Sequence, residues 1–134
     1  MDAKILVVDD DPQMQLAIKA SLSRAGYDVT IACDGKSGLA QVEQQQFELI
    51  ISDQRMPEMT GQELLAALQQ RGTTAPFVMI TAHGTITQAV EAMQLGAADF
   101  ITKPFSADDL KRVVERVLSV ENKEFRSEEI CSRT

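Results

Sequence analysis

Tryptophan is absent from this sequence, tyrosine occurs once, and aromatic residues make up 4% against 44% hydrophobic residues in all. Its core must therefore rest on Leu, Ile, Val, Ala and Met rather than on large rings. Basic residues are also short: 13 Lys and Arg face 20 Asp and Glu, a formal net charge of -7. That balance repels a phosphate backbone, so the chain is not expected to bind nucleic acid directly. Cysteine is nearly missing. Cys33 and Cys131 stand far apart without CxxC spacing, and Cys131 falls in a polar stretch, so free thiols in a reducing cytoplasm are expected. No apolar run approaches the roughly 20 residues of a membrane span. Met1-Asp2-Ala3-Lys4 leads at once into a short apolar run, unlike a secretory leader. A soluble, cytoplasmic chain with no membrane partner is expected, and 134 residues suit one domain with one core.

What is present is an alternation of short β-branched runs with segments of helical period, the pattern of a parallel sheet with helices on its faces. Ile5-Leu6-Val7-Val8 is apolar at every position, as a strand buried on both sides must be, and ends in Asp9-Asp10-Asp11. Asp11 with Pro12 reads as an N-cap followed by proline at the first helical position; Met14, Ile18 and Leu22 then recur until Gly26. Tyr27 to Ala32 is the second strand, Asp34 caps a helix carrying Leu39 and Val42, and Phe47 to Ser52 is the third strand. Thr60-Gly61-Gln62-Glu63 is a capping box opening a helix with Leu64, Leu65 and Leu68, ended near Gly72. Phe77 to Ile80 is the fourth strand. Ile86, Ala89, Val90 and Met93 give a fourth helical face closed by Gly96, and Asp99 to Thr102 form the fifth strand. Ser106 and Asp109 signal a last helix with Leu110, Val113, Val114, Val117 and Leu118 as its buried stripe. The βα units finish by about Ser119, and from Val120 onward the chain loses clear periodicity.

In an open parallel sheet the carboxyl ends of the strands share one edge, where ligands bind. Asp9 and Asp10 end the first strand, Asp53 the third, Thr81 the fourth and Lys103 the fifth. Carboxylates gathered at one rim raise one another's pKa unless a cation is held among them. Mg²⁺ suits oxygen ligands and bridges to phosphate. Lys103 can pair with a carboxylate or a phosphoryl oxygen, and the Thr81 hydroxyl can donate to another. The set suits phosphoryl transfer, which depends on positioning and charge neutralisation. Asp53, alone at the end of a central strand, is the expected nucleophile, while the adjacent Asp9 and Asp10 suit metal holding.

Val7-Val8-Asp9-Asp10, Ser52-Asp53 with Met56-Pro57 and Gly61, Ile80-Thr81-Ala82, and Lys103-Pro104-Phe105 together resemble the receiver domains of bacterial two-component response regulators. The resemblance covers about residues 3–120, leaving 121–134 as a linker or tail. It implies a flavodoxin-like doubly wound (βα)5 fold with strand order 2-1-3-4-5, and a switch that catalyses only its own phosphotransfer and dephosphorylation. By it Asp53 is the phosphoacceptor, Asp10 and Asp53 ligate Mg²⁺ directly, Asp9 acts through a metal-bound water, and the Arg55 backbone carbonyl is a further ligand. Thr81 and Lys103 would bind the phosphoryl oxygens. The Lys103-Pro104 peptide would be cis, and Phe100 would be an aromatic switch coupled to Thr81. Arg55 and His83 occupy positions that tune the lifetime of the phosphate in this family. The implied partners are a sensor histidine kinase and an output domain, linked or separate. The face of the fourth helix, fifth strand and last helix would be the output surface and a candidate homodimer contact. Thr81-Ala82-His83-Gly84 and Gly96 to Lys103 are similar to receivers of enhancer-binding transcription activators.

Three other readings compete. A flavodoxin-like nucleotide or flavin binder would carry Gly or Ser/Thr amides in the first loop, where Asp9-Asp10-Asp11-Pro12 instead repels phosphate. An aspartyl phosphatase would place an acid/base aspartate two residues after the nucleophile, where Arg55 stands. A degenerate receiver serving as a scaffold would lack one of the rim residues, and all are present.

Overall fold

A computed structural model describes residues 3–81 and 86–119. Five strands, β1 (Lys4–Val8), β2 (Asp28–Ala32), β3 (Leu49–Asp53), β4 (Phe77–Thr81) and β5 (Asp99–Thr102), form one parallel sheet in the order β2-β1-β3-β4-β5. Helices α1 (Pro12–Arg24), α2 (Gly35–Gln44), α3 (Gly61–Gln70) and α4 (Ile86–Leu95) follow the first four strands, and α5 spans 107–119. This is the doubly wound order expected from the resemblance, and the strand order reverses between β1 and β3.

Strand alternation sorts the core into two layers. Ile5, Val7, Leu49, Ile51, Val78, Ile80 and Ile101 pack with Ile18 and Leu22 of α1 and Leu110, Val113, Val114 and Val117 of α5. Leu6, Val8, Ile50, Phe77 and Met79 pack on the other side with Leu64, Leu65 and Leu68 of α3 and Ala92 of α4. Burial on both faces explains why β1, β3 and β4 read as continuous apolar runs.

The helix boundaries follow the cap residues. Asp11 accepts from the Gln13 N–H at 3.0 Å, with Pro12 opening α1, and Asp34 accepts from the Ser37 N–H at 2.7 Å. Thr60 and Glu63 form both bonds of a capping box, at 3.1 and 2.9 Å. Ser106 and Asp109 do the same at α5, at 3.0 and 3.1 Å. Helices α1, α3 and α4 close on Gly26, Gly72 and Gly96, each at positive φ with the paired backbone bonds of a Schellman turn, a conformation that costs glycine little.

The fourth helical face differs from its sequence reading. Among the described residues of α4, Ala89 is buried as that reading has it and so is Ala92, while Val90 and Met93 are 48% and 42% exposed. The small residues Ala89 and Ala92 take the inward positions, and the larger Val90, Met93 and Leu95 are exposed. Tyr27 precedes β2 and Phe47 precedes β3, although Phe47 is buried. Cys33 is a free, exposed thiol, and Cys131 lies outside the described residues. Among the described residues, no helix is long and apolar enough to cross a membrane.

Candidate functional site

The rim at the carboxyl ends of the strands is assembled by register. The Asp9 N–H donates to the Ala32 carbonyl at 3.0 Å, the Gln54 N–H to the Ile80 carbonyl at 2.9 Å, and the Lys103 N–H to the Thr81 carbonyl at 2.8 Å. These bonds continue the sheet ladder past the last apolar residue of each strand and fix where the polar residues leave it.

Asp53 is buried, 6% exposed, and its Oδ2 accepts from Lys103 Nζ at 3.2 Å. Its Oδ1 lies 3.4 Å from the Arg55 backbone nitrogen, which donates to it, and the Arg55 side chain is exposed. The Ser52 hydroxyl donates to the Asp53 carbonyl at 2.9 Å and holds the strand end. Asp9 is fully buried, while Asp10 is exposed. One carboxylate oxygen from each of Asp9, Asp10 and Asp53 lies within 4.8 Å of the others, close enough for all to hold one cation.

Asp9 carries the electrostatic signature of this crowding. Burial pushes its carboxyl from the usual 3.8 up to about 6, and the neighbouring Asp53 and Asp10 charges push the same way. The Asp11 backbone N–H, donating to Oδ1 at 2.9 Å, and the Lys103 charge pull it down without prevailing. Asp9 Oδ2 is buried with no hydrogen-bond partner. A buried, orphaned carboxylate oxygen among two further carboxylates fits a hard cation with oxygen ligands.

Lys103-Pro104 is a cis peptide. Phe100 is 36% exposed on β5, and the Asp99 carboxylate on the same strand pairs with Arg116 of α5 at 2.5 Å. Thr81 is fully buried at the end of β4, and its hydroxyl has no partner. The rim thus brings Asp9, Asp10, Asp53 and Lys103 together, whereas no hydrogen bond links the Thr81 hydroxyl to Asp53. His83 lies outside the described residues.

Sequence reasoning missed two side chains. Gln15 Nε2 donates to the Asp9 carbonyl at 2.6 Å, tying α1 to the acidic loop. Gln54, directly after Asp53, is 7% exposed with its Oε1 unpaired. No signal in the sequence marks Gln54, because it stands one residue past the polar end of β3. Above it, Gly61 opens α3 so closely that a Cβ there would stand 2.6 Å from the Asp53 carbonyl oxygen and 3.0 Å from Gln54 Cα. Glycine is thus required at 61 for space rather than for conformation.

A five-stranded doubly wound domain with an acidic trio and a lysine-paired carboxylate at its rim is an α/β domain of the kind used in two-component signalling. Residues 5–115 match the response regulator receiver domain family, and the chain belongs to that family. It is 40% identical over 118 residues to the tetrathionate response regulatory protein TtrR of Salmonella typhimurium, covering 88% of this chain and 57% of that protein. It is 39% identical over 116 residues to the transcriptional regulatory protein GlrR of Escherichia coli, covering 87% of this chain and 26% of that one. The chain therefore spans only 57% and 26% of the length of these two relatives. Among solved structures, NtrX from Brucella abortus superimposes with a TM-score of 0.91 at 35% identity, over 97% of this chain and 30% of that chain. The FixJ-N crystal structure gives 0.82 at 33% identity, over 89% and 95%.

Proposed function

We propose that this receiver accepts a phosphoryl group on Asp53 from the phosphohistidine of a sensor kinase, in a Mg²⁺-dependent reaction. The observation that carries this reading is the lysine-paired Asp53 carboxylate, Nζ to Oδ2 at 3.2 Å, inside an acidic trio whose oxygens lie within 4.8 Å. Asp53 attacks phosphorus, the P–N bond of the donor breaks with its electron pair returning to the imidazole nitrogen, and an acyl phosphate forms on Asp53. Lys103, already at the nucleophile, is placed to pair with a phosphoryl oxygen once the transferred group displaces it. Asp10 and Asp53 would hold Mg²⁺ directly with the Arg55 carbonyl, and Asp9 would do so through water. When bound, the cation neutralises charge on the phosphoryl oxygens.

The orphaned Thr81 hydroxyl is the second donor for that group. Its movement toward Asp53, with repacking of Phe100, would change the surface of α4, β5 and α5, where Val90, Met93, Leu95 and Phe100 are exposed. That surface would be the output face and a homodimer contact. The receiver unit is taken as residues 3–120 and 121–134 as a linker or tail toward an output domain acting in transcription, in the cytoplasm. The similarity to the transcriptional regulatory protein GlrR supports such an output. Arg55 and His83 would set the lifetime of the acyl phosphate. The domain would catalyse only its own phosphotransfer and dephosphorylation.

Incubation with Mg²⁺ and acetyl phosphate should label the wild-type protein and leave Asp53→Asn unlabelled. Equal labelling of the two proteins would overturn the assignment.

A further inference from the structure

Two polar side chains stand on the opposite side of the sheet from Asp9 and Asp53. In β3, Leu49 and Ile51 face the α1/α5 layer while Ile50 faces the α3 layer. Alternation puts Asp53 with the first set and Gln54 with the second. In β4, Phe77 and Met79 face the α3 layer, so Thr81 does too. The β3/β4 register pairs Ser52 with Met79 and Asp53 with Ile80, and the Gln54 N–H bond to the Ile80 carbonyl carries it one step further. Gln54 and Thr81 are therefore the next pair of cross-strand neighbours, on one face of adjacent strands about 5 Å apart.

Both are closed off from water, at 7% and 0% exposure, and α3 seals them from above: the Gly61 N–H donates to the Gln54 carbonyl at 2.9 Å. Among the described residues, neither Gln54 Oε1 nor Thr81 Oγ1 has a hydrogen-bond partner. The two are chemically complementary. An amide oxygen only accepts, and a hydroxyl always has one proton to give. A buried polar atom left unpaired is costly, so adjacent orphans of opposite character are poised to satisfy each other by a rotamer change.

We propose that Gln54 is a positioning residue for the switch: its Oε1 takes the Thr81 hydroxyl proton as a hydrogen bond before phosphorylation and releases it to the phosphoryl oxygen afterwards. This rests on Asp53 being the phosphoacceptor. Gln54 then competes with the phosphoryl group for one donor and sets how strongly the unmodified state is held. Gln54→Met keeps the length and apolar fit of the side chain but removes the competing acceptor.

The test is a double-mutant cycle read by affinity for beryllium fluoride, an acyl-phosphate mimic, in the presence of Mg²⁺, across wild type, Gln54→Met, Thr81→Val and the pair. Gln54→Met should bind roughly three- to tenfold tighter than wild type. In the Thr81→Val background the same change should have no effect, because the shared donor is gone. An equal gain in both backgrounds, or none in either, overturns the inference, since a packing role would not depend on the hydroxyl. Should Gln54→Met fail to fold, Gln54→Leu serves in its place. The unsubstituted protein gives a second readout by NMR. A slowly exchanging Thr81 hydroxyl proton in contact with the Gln54 amide should be seen before beryllium fluoride and lost after it. A hydroxyl proton with no such contact in either state overturns the inference. Failure of the underlying reading looks different: wild type and Asp53→Asn would then bind beryllium fluoride alike.

Discussion

The starts of the helices and the carboxyl rim of the sheet use the same residue types to opposite ends. At the helix starts, Asp11, Asp34, Thr60 and Ser106 each accept from a backbone N–H two or three residues on, and Glu63 and Asp109 return the bond. At the rim, Asp9 Oδ2, Gln54 Oε1 and Thr81 Oγ1 are buried and unpaired. A cap is satisfied by its own segment, whereas the rim atoms depend on partners beyond theirs, on the neighbouring strand or arriving from outside. Unpaired buried polar atoms that, among the described residues, are confined to one edge are the physical mark of a site held ready at some cost to stability.

Acid should separate the two regions. Asp34 and Asp109 sit below the usual carboxylate range because the backbone N–H groups of Ser37 and Ser106 favour their charged forms. Their contribution is present above the ordinary value of 3.8 and is lost as pH falls through the depressed values. Asp9 runs the other way. With its carboxyl raised to about 6, the charged form costs stability in full above that pH, and the cost fades as pH falls toward 3.8.

The largest expected effect on stability is therefore at the rim, and it is a gain. With divalent cations chelated, Asp9→Asn should stabilise the fold at pH 8 by about 2 kcal/mol, by removing a buried charge while keeping an oxygen for the Asp11 N–H. Urea unfolding should show the gain shrinking from pH 6 to pH 4. Saturating Mg²⁺ should narrow it, because only the carboxylate profits from the cation. A loss of stability at pH 8 without metal would mean that Asp9 is an ordinary structural carboxylate. Next in size is a cap. Thr60→Ala removes one half of the α3 capping box and should cost about 1 kcal/mol by urea unfolding, with or without Mg²⁺. Sensitivity of that cost to Mg²⁺ would erase the distinction between the two regions.

Most of both regions can be read in the sequence because they depend on short-range pattern. Cap residues announce themselves by spacing, as Thr60 with Glu63 does. Asp9, Asp10, Asp53 and Thr81 announce themselves by ending apolar runs and Lys103 by following the last strand, and parallel topology then puts these strand ends on one edge. Gln54 was illegible for a related reason. One residue past a strand end looks like a loop, and only the ladder bond to Ile80 and the overlying Gly61 show that it is still inside. The cis Lys103-Pro104 peptide came from family resemblance, since nothing local in the chain requires it. The face of α4 was misjudged because hydrophobic period ranks Val and Met above Ala, whereas the small Ala89 and Ala92 take the inward positions.

That misjudged face supports the smallest effect. Helix α4 is anchored by Ala89 and Ala92, at 1% and 0% exposure, while Val90 and Met93 remain about half exposed, at 48% and 42%. Val90→Ser and Met93→Gln exchange residues of closely similar helix propensity, so neither local preference nor core packing should change much. Each should alter unfolding free energy by less than about 0.5 kcal/mol, measured by urea denaturation of the unphosphorylated protein. A loss above about 1 kcal/mol would place these side chains in the core and return α4 to the face that its period suggested. If stability is unchanged while self-association of the beryllium fluoride form weakens, the exposed apolar residues belong to neither caps nor rim. They would then form a third region, kept apolar for a partner rather than for the fold.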